Sequence, residues 1–113
     1  CLNIQTNATP PDMSAFHAEA TRLLSALTGK DAQYCMVVTR AGEAMCFGGN
    51  DGPAAYAELN AIGLNEGETD TCAAKLCAFM QEQLNVPPER VFIVFQSVPR
   101  HLWGFNGGNM VKD

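Results

Sequence analysis

The sequence predicts an α/β (α+β) fold, with two βαβ units joined into a four-stranded sheet that carries both helices on one face. Three observations lead there. Strand and helix patterns follow one another as strand, helix, strand, and then repeat. The halves match at an offset of 57, which takes Leu2 to Leu59, Leu23 to Met80, Leu27 to Leu84 and Tyr34 to Val91. Each crossover is then expected to be right-handed and to bring parallel strands together. One sheet face also stays strongly apolar. This predicts a single domain over residues 1–113, with halves of about 1–50 and 51–113.

The elements follow in order. Leu2-Asn3-Ile4-Gln5-Thr6 alternates apolar and polar residues, the pattern of a strand. Pro10 and Pro11 close it and open a helix, with Asp12 near the first turn. Phe16, Ala20, Leu23, Leu24 and Leu27 make one helical stripe, and Gly29 suits the C-terminal cap. Tyr34 to Arg40 is rich in β-formers and reads as a buried strand. Ala41-Gly42-Glu43 reads as a turn and Ala44 to Phe47 as a short returning strand. Gly48 to Pro53 is a loop, Ala54 to Ile62 a strand, and Gly63 to Glu68 a second loop. Thr69 or Asp70 caps a second helix with the stripe Cys72, Leu76, Phe79, Met80 and Leu84, which Pro87 and Pro88 end. Val91 to Phe95 is the clearest strand, and Val98 to Asp113 reads as an irregular tail.

Tyr34, Met36, Val38, Phe92 and Val94 are too apolar to face water, so the pattern predicts that a partner subunit covers them. The chain has 7 Lys and Arg against 12 Asp and Glu, a net charge of −5 that argues against a nucleic-acid-binding face. No apolar run approaches the roughly 20 residues of a membrane span, and no leader pattern opens the sequence. Five scattered cysteines, Cys1, Cys35, Cys46, Cys72 and Cys77, read mostly as small core residues in a reducing compartment, not as a disulfide framework. With only His17 and His101 beside them, no metal site is expected. No phosphate loop or nucleophile elbow appears, so no cofactor is expected.

One feature suggests chemistry. The chain starts on a strand, so its terminal amine lies close to the fold. An α-amino group has a pKa of about 7.7–8.0, and partial burial lowers it, which suits a general base near neutral pH. Lys30, just past the first helix, can lower it further and hold a carboxylate. Lys30 equally suits a plain helix-terminal cation.

Several segments, taken in order, resemble one family over nearly the whole chain. They are Thr6-Asn7, Thr28-Gly29-Lys30 with Tyr34 and Val37, Phe47-Gly48-Gly49 with Pro53, Ala61-Ile62-Gly63, Pro88-Glu89-Arg90-Val91-Phe92-Ile93, and Trp103-Gly104-Phe105-Asn106-Gly107. The chain is similar to the macrophage migration inhibitory factor and D-dopachrome tautomerase family. The resemblance implies a homotrimer whose sheets form a central barrel, with a pocket at each subunit interface. It implies keto–enol tautomerisation of phenylpyruvate- or dopachrome-type acids and esters by an N-terminal proline. It also implies two other readings: a cytokine-like ligand of a class II invariant chain-type receptor, and a non-catalytic binding module. The cellular place it implies is the cytoplasm or export without a signal peptide.

Residue by residue, Cys1 matches the family's second position. Either a proline precedes it and supplies the base, or the chain begins at Cys1 with its amine one residue short and its thiol exposed. Lys30 matches the lysine that steadies the substrate carboxylate, and Ile62 the isoleucine whose backbone lines the pocket. Trp103 and Phe105 fall in the aromatic wall. Phe92 and Val94 stand where many relatives have tyrosine and asparagine, and Met110 replaces an aromatic residue. The implied pocket has lost two hydrogen-bonding groups, so weak activity is expected; each such bond is worth about 0.5–1.5 kcal/mol. The family's C-x-x-C pair is Ala54-Ala55-Tyr56-Ala57 here, so thiol oxidoreduction is not expected.

Overall fold

The alternating pattern of the first strand sends every second residue inward, and the whole sheet is organised around that strand. The computed structural model describes residues 1–111. Strand β1 is Leu2–Thr6, β2 Val37–Arg40, β3 Ala55–Ile62 and β4 Val91–Val98; helix α1 is Met13–Thr28 and α2 Thr69–Leu84. The strands form one mixed sheet in the order β2-β1-β3-β4. β1 runs parallel to β2, β3 runs parallel to β4, and the central pair β1/β3 is antiparallel with Leu2 opposite Leu59.

The core lies between the sheet and the two helices. Leu2, Ile4 and Thr6 of β1 and Ala55, Ala57, Leu59 and Ala61 of β3 point into it. Phe16, Ala20 and Leu24 of α1 meet Leu76, Phe79, Met80 and Leu84 of α2 above them. The Phe16 and Phe79 rings lie 5.2 Å apart. Small alanines on the inner face of β3 leave room for these larger side chains at interior packing density. On the opposite face Val38, Phe92 and Val94 stay open to solvent, with Phe92 63% exposed.

Several expectations need correction. The stripe Phe16, Ala20, Leu24 corresponds to Cys72, Leu76, Met80, one position short of the 57-residue offset. Leu59 opposes Phe95, where that offset would place Val94. A one-residue slip reverses which face a strand residue occupies. Tyr34 and Met36 do not belong to a strand. Residues Ala32–Tyr34 form a single 3-10 turn, capped by Asp31 Oδ1, which accepts from Gln33 N at 3.1 Å. Ala44 to Phe47 is no strand either. Phe47 and Asn50 exchange main-chain bonds of 3.0 and 3.1 Å around Gly48 and Gly49, whose φ values of 61° and 75° need residues without a Cβ.

The helix ends also differ in detail. Asp12 is the N-cap of α1 itself, accepting from Ala15 N at 3.2 Å. Thr69 and Asp70 lie inside the first turn of α2, which follows directly from a 3-10 turn over Glu66–Glu68. Asn85, not the proline pair, ends α2. It takes a left-handed φ of 59°, and its N–H bonds back to Gln81 O at 3.0 Å while buried Val86 covers the end.

Only Cys72 of the cysteines is buried. Cys1, Cys35 and Cys77 are half-buried, Cys46 is exposed, and all five are free thiols.

Candidate active site

β1 hydrogen-bonds past its first residue, and this places the head of the chain. Cys1 N donates to Asn60 O at 2.8 Å and Asn60 N donates to Cys1 O at 2.9 Å, so the β1/β3 ladder gains one more pair. On the other side Leu2 N donates to Met36 O at 2.9 Å. The Cys1 nitrogen is thus held between two strands at the end of the sheet. Burial lowers the Cys1 α-amino group from its ordinary value, an effect partly opposed by the nearby Cys35 thiol. Burial pushes the Cys35 thiol up, the amino group works against this, and Asp31 adds to it.

A cavity of about 560 Å³ opens at this point. That lies within the usual range of about 300–1,000 Å³ for small-ligand sites. Cys1, Asn60, Ala61 and Ile62 form its floor. Lys30, placed by the left-handed Gly29 cap at the end of α1, lines it with Gln33, Tyr34 and Cys35. Arg100, Trp103, Phe105 and Met110 reach it from the tail.

The tail reaches the cavity because it is folded. After β4 a 3-10 turn spans Arg100–Leu102, and β5 (Gly104–Phe105) and β6 (Gly108–Asn109) make a small hairpin. Its two-residue turn is Asn106-Gly107, with φ values of 49° and 83°. The Arg100 carbonyl accepts from Trp103 N at 3.2 Å and from Met110 N at 3.1 Å, which ties the hairpin back on the turn. Phe105 meets Tyr34 edge-on at 5.7 Å and closes one wall. The tail is therefore ordered where irregular chain was expected; residues 112 and 113 lie outside the described residues.

Of the residues singled out from sequence, Cys1, Lys30, Ile62, Trp103, Phe105 and Met110 come together around this cavity. Phe92 and Val94 do not line the wall that one chain builds. They sit on the open sheet face, where Phe92 meets the Phe47 ring at 4.7 Å. Sequence reasoning missed Tyr34, Asn60 and Arg100 as wall residues. The β-formers around Tyr34 predict a strand, whereas Asp31 caps a 3-10 turn there. Arg100 belongs with the tail, and the Asn-Gly pair at 106 and 107 is the hairpin signal that would have found it. Among the described residues no cluster of three or more His, Cys, Asp or Glu is placed to hold a metal.

This arrangement defines an α+β protein of the tautomerase fold, with a small-molecule cavity where the first strand meets the ordered tail. The sequence profile described as macrophage migration inhibitory factor (MIF) matches residues 1–111, and the chain belongs to that family. It is 31% identical to macrophage migration inhibitory factor of Xenopus tropicalis over 95% of this chain and 91% of the relative. It is 33% identical to that of Mus musculus over 81% of each chain. The crystal structure of the homologue from Prochlorococcus marinus superposes with a TM-score of 0.91, at 32% identity, covering 96% of this chain and 97% of that one.

Proposed function

We propose that the chain is a tautomerase of small enolisable carboxylic acids of the phenylpyruvate or dopachrome type, assembled as a homotrimer. The observation that carries this reading is that Cys1, held by its nitrogen to Asn60 O, shares one cavity with Lys30, Trp103 and Phe105. A proline ahead of Cys1 would continue the β1/β3 ladder opposite Ala61, and its secondary amine would enter the same cavity. Burial at this position favours the neutral amine, the form that accepts a proton.

The chemistry is a proton transfer. The amine takes a proton from the carbon beside the ketone, the C–H electron pair moves into the new double bond, and the ketone oxygen becomes an enolate. That oxygen is then protonated and the amine gives up its proton to solvent. Lys30 holds the substrate carboxylate, and Trp103 and Phe105 pack its ring. Tyr34 supplies a hydroxyl donor on the same wall for the enolate oxygen.

The open sheet face supports the assembly. On it Phe92 is 63% exposed and Val38 and Val94 about 40%. A second copy laid over that face removes this apolar area from water and brings Phe92 and Val94 to the mouth of a neighbouring cavity. Phe92 and Val94 carry no polar donor, which predicts weak turnover.

The test compares two forms, one starting at Cys1 and one carrying proline ahead of it, in phenylpyruvate enolisation. The proline form should exceed buffer, and Lys30→Ala should lower its kcat/KM by at least tenfold. No turnover by either form in a folded assembly refutes catalysis. It leaves the reading as a protein ligand of an invariant chain-type receptor.

A further inference from the structure

Two cations, Lys30 and Arg100, line the cavity, and among the described residues no Asp or Glu lines it. This is notable in a chain where acids outnumber bases by 12 to 7. Among the described residues the one ion pair is Arg22 with Glu19, on α1, and neither wall cation pairs with an acid among them. Asp31 follows Lys30 in sequence, but its carboxylate is engaged as the cap of the 3-10 turn.

The two cations come from separate segments of the chain. Lys30 follows the end of α1, with its main-chain carbonyl accepting from Ser25 Oγ. Arg100 begins the tail turn, and its carbonyl is fixed by the Trp103 and Met110 N–H groups. Their backbones are anchored separately, and the apolar walls of Tyr34, Trp103 and Phe105 belong to the same cavity. A ligand with one anionic group pairs with one cation and leaves the other, which is exposed, to water. A ligand with an anionic group at each end satisfies both. The planar guanidinium suits a carboxylate, which it can bind with two parallel N–H bonds.

We infer that this cavity takes an enolisable keto diacid, with Lys30 holding the carboxylate beside the ketone and Arg100 holding a second carboxylate at the far end. This rests on the reading of the cavity as the site of an enolisable acid. It adds a specificity-determining residue, Arg100, and a narrower substrate class.

The test is a calorimetric titration of the full chain, with proline ahead of Cys1, using phenylpyruvate and 4-carboxyphenylpyruvate. These differ by one carboxylate. The diacid should bind about tenfold more tightly, a difference of about 1.4 kcal/mol. Arg100→Gln should cut that preference to less than about twofold, whereas Arg22→Gln, which removes the same charge from the α1 surface, should keep it. Equal binding of the two acids, no binding of either, or an unchanged preference in Arg100→Gln overturns the inference. Enolisation of phenylpyruvate is followed in parallel. Its absence with the diacid preference intact removes the catalytic reading alone. Its presence with no preference removes this inference alone.

Discussion

Arg90 holds the loop between β2 and β3, and its removal should be the most damaging single change outside the core. Its Nε donates to Pro53 O at 2.7 Å, Nη1 to Phe47 O at 3.2 Å, and Nη2 to Asn50 O at 2.9 Å and Gly52 O at 3.2 Å. The guanidinium carbon lies 5.3 Å from the centre of the Phe47 ring. The segment forms no strand, and one side chain reaches four of its carbonyls, adding to the Phe47–Asn50 main-chain pair and to the Asn7 Nδ2 bond to Gly52 O. The site is half-exposed, so each bond is taken at about 0.5–1 kcal/mol and the ring contact at about 0.5 kcal/mol. Arg90→Ala should then cost about 3 kcal/mol. For a chain of this size that is a fall in Tm of about 12 °C at fixed protein concentration. Hydrogen exchange at the Phe47 and Asn50 amides should accelerate in step, since their mutual bonds close the turn. Arg90→Lys should recover less than half of the loss, because an ammonium cannot reach carbonyls spread along the fork. A fall of less than about 2 °C for the alanine variant, or full recovery with lysine, refutes this reasoning.

Other outcomes follow from single features. Gly107→Val puts a β-branched residue at a φ of 83° and should cost about 1–2 kcal/mol, with the Trp103 emission shifting to the red as the hairpin opens; an unmoved spectrum counts against the hairpin as a cavity wall. Met80→Ala empties a fully buried core position and should cost about 2–5 kcal/mol in urea denaturation. A free amine at the head of β1 has its pKa lowered from 8.0, so its proton-accepting form fills as pH rises through a midpoint below 8.0. Enolisation should rise across that range and level off above it, and a rate that falls with pH contradicts the amine as base. Because burial raises the Cys35 thiol above its ordinary 9.0, peptide mapping after iodoacetamide at neutral pH should find exposed Cys46 modified well before Cys35.

Much of this protein is legible in its sequence, for a local reason. The period of apolar residues is set by how each side chain leaves its own backbone, so β1, both helices and the inner faces of β3 and β4 follow from spacing alone. The open apolar face is equally visible, because Val38, Phe92 and Val94 alternate with inward residues. Lys30, Ile62, Trp103, Phe105 and Met110 could be placed together only through the family resemblance, since nothing in their spacing brings them to one cavity.

Tertiary structure decided the rest. The one-residue shifts between the halves arise in connections that carry no periodic signal, and each shift changes which face a side chain occupies. Residues 44–47 end in the Phe47–Asn50 turn, and Arg90, distant in sequence, donates to the Phe47 and Asn50 carbonyls there. The cavity itself is assembled from the head of β1, the end of α1 and a tail hairpin, three segments far apart in the chain. Sequence determined what each segment would bury. Only the folded chain decided that two cations, Lys30 and Arg100, would line the same cavity, because that depends on where the sheet ends and the tail turns back.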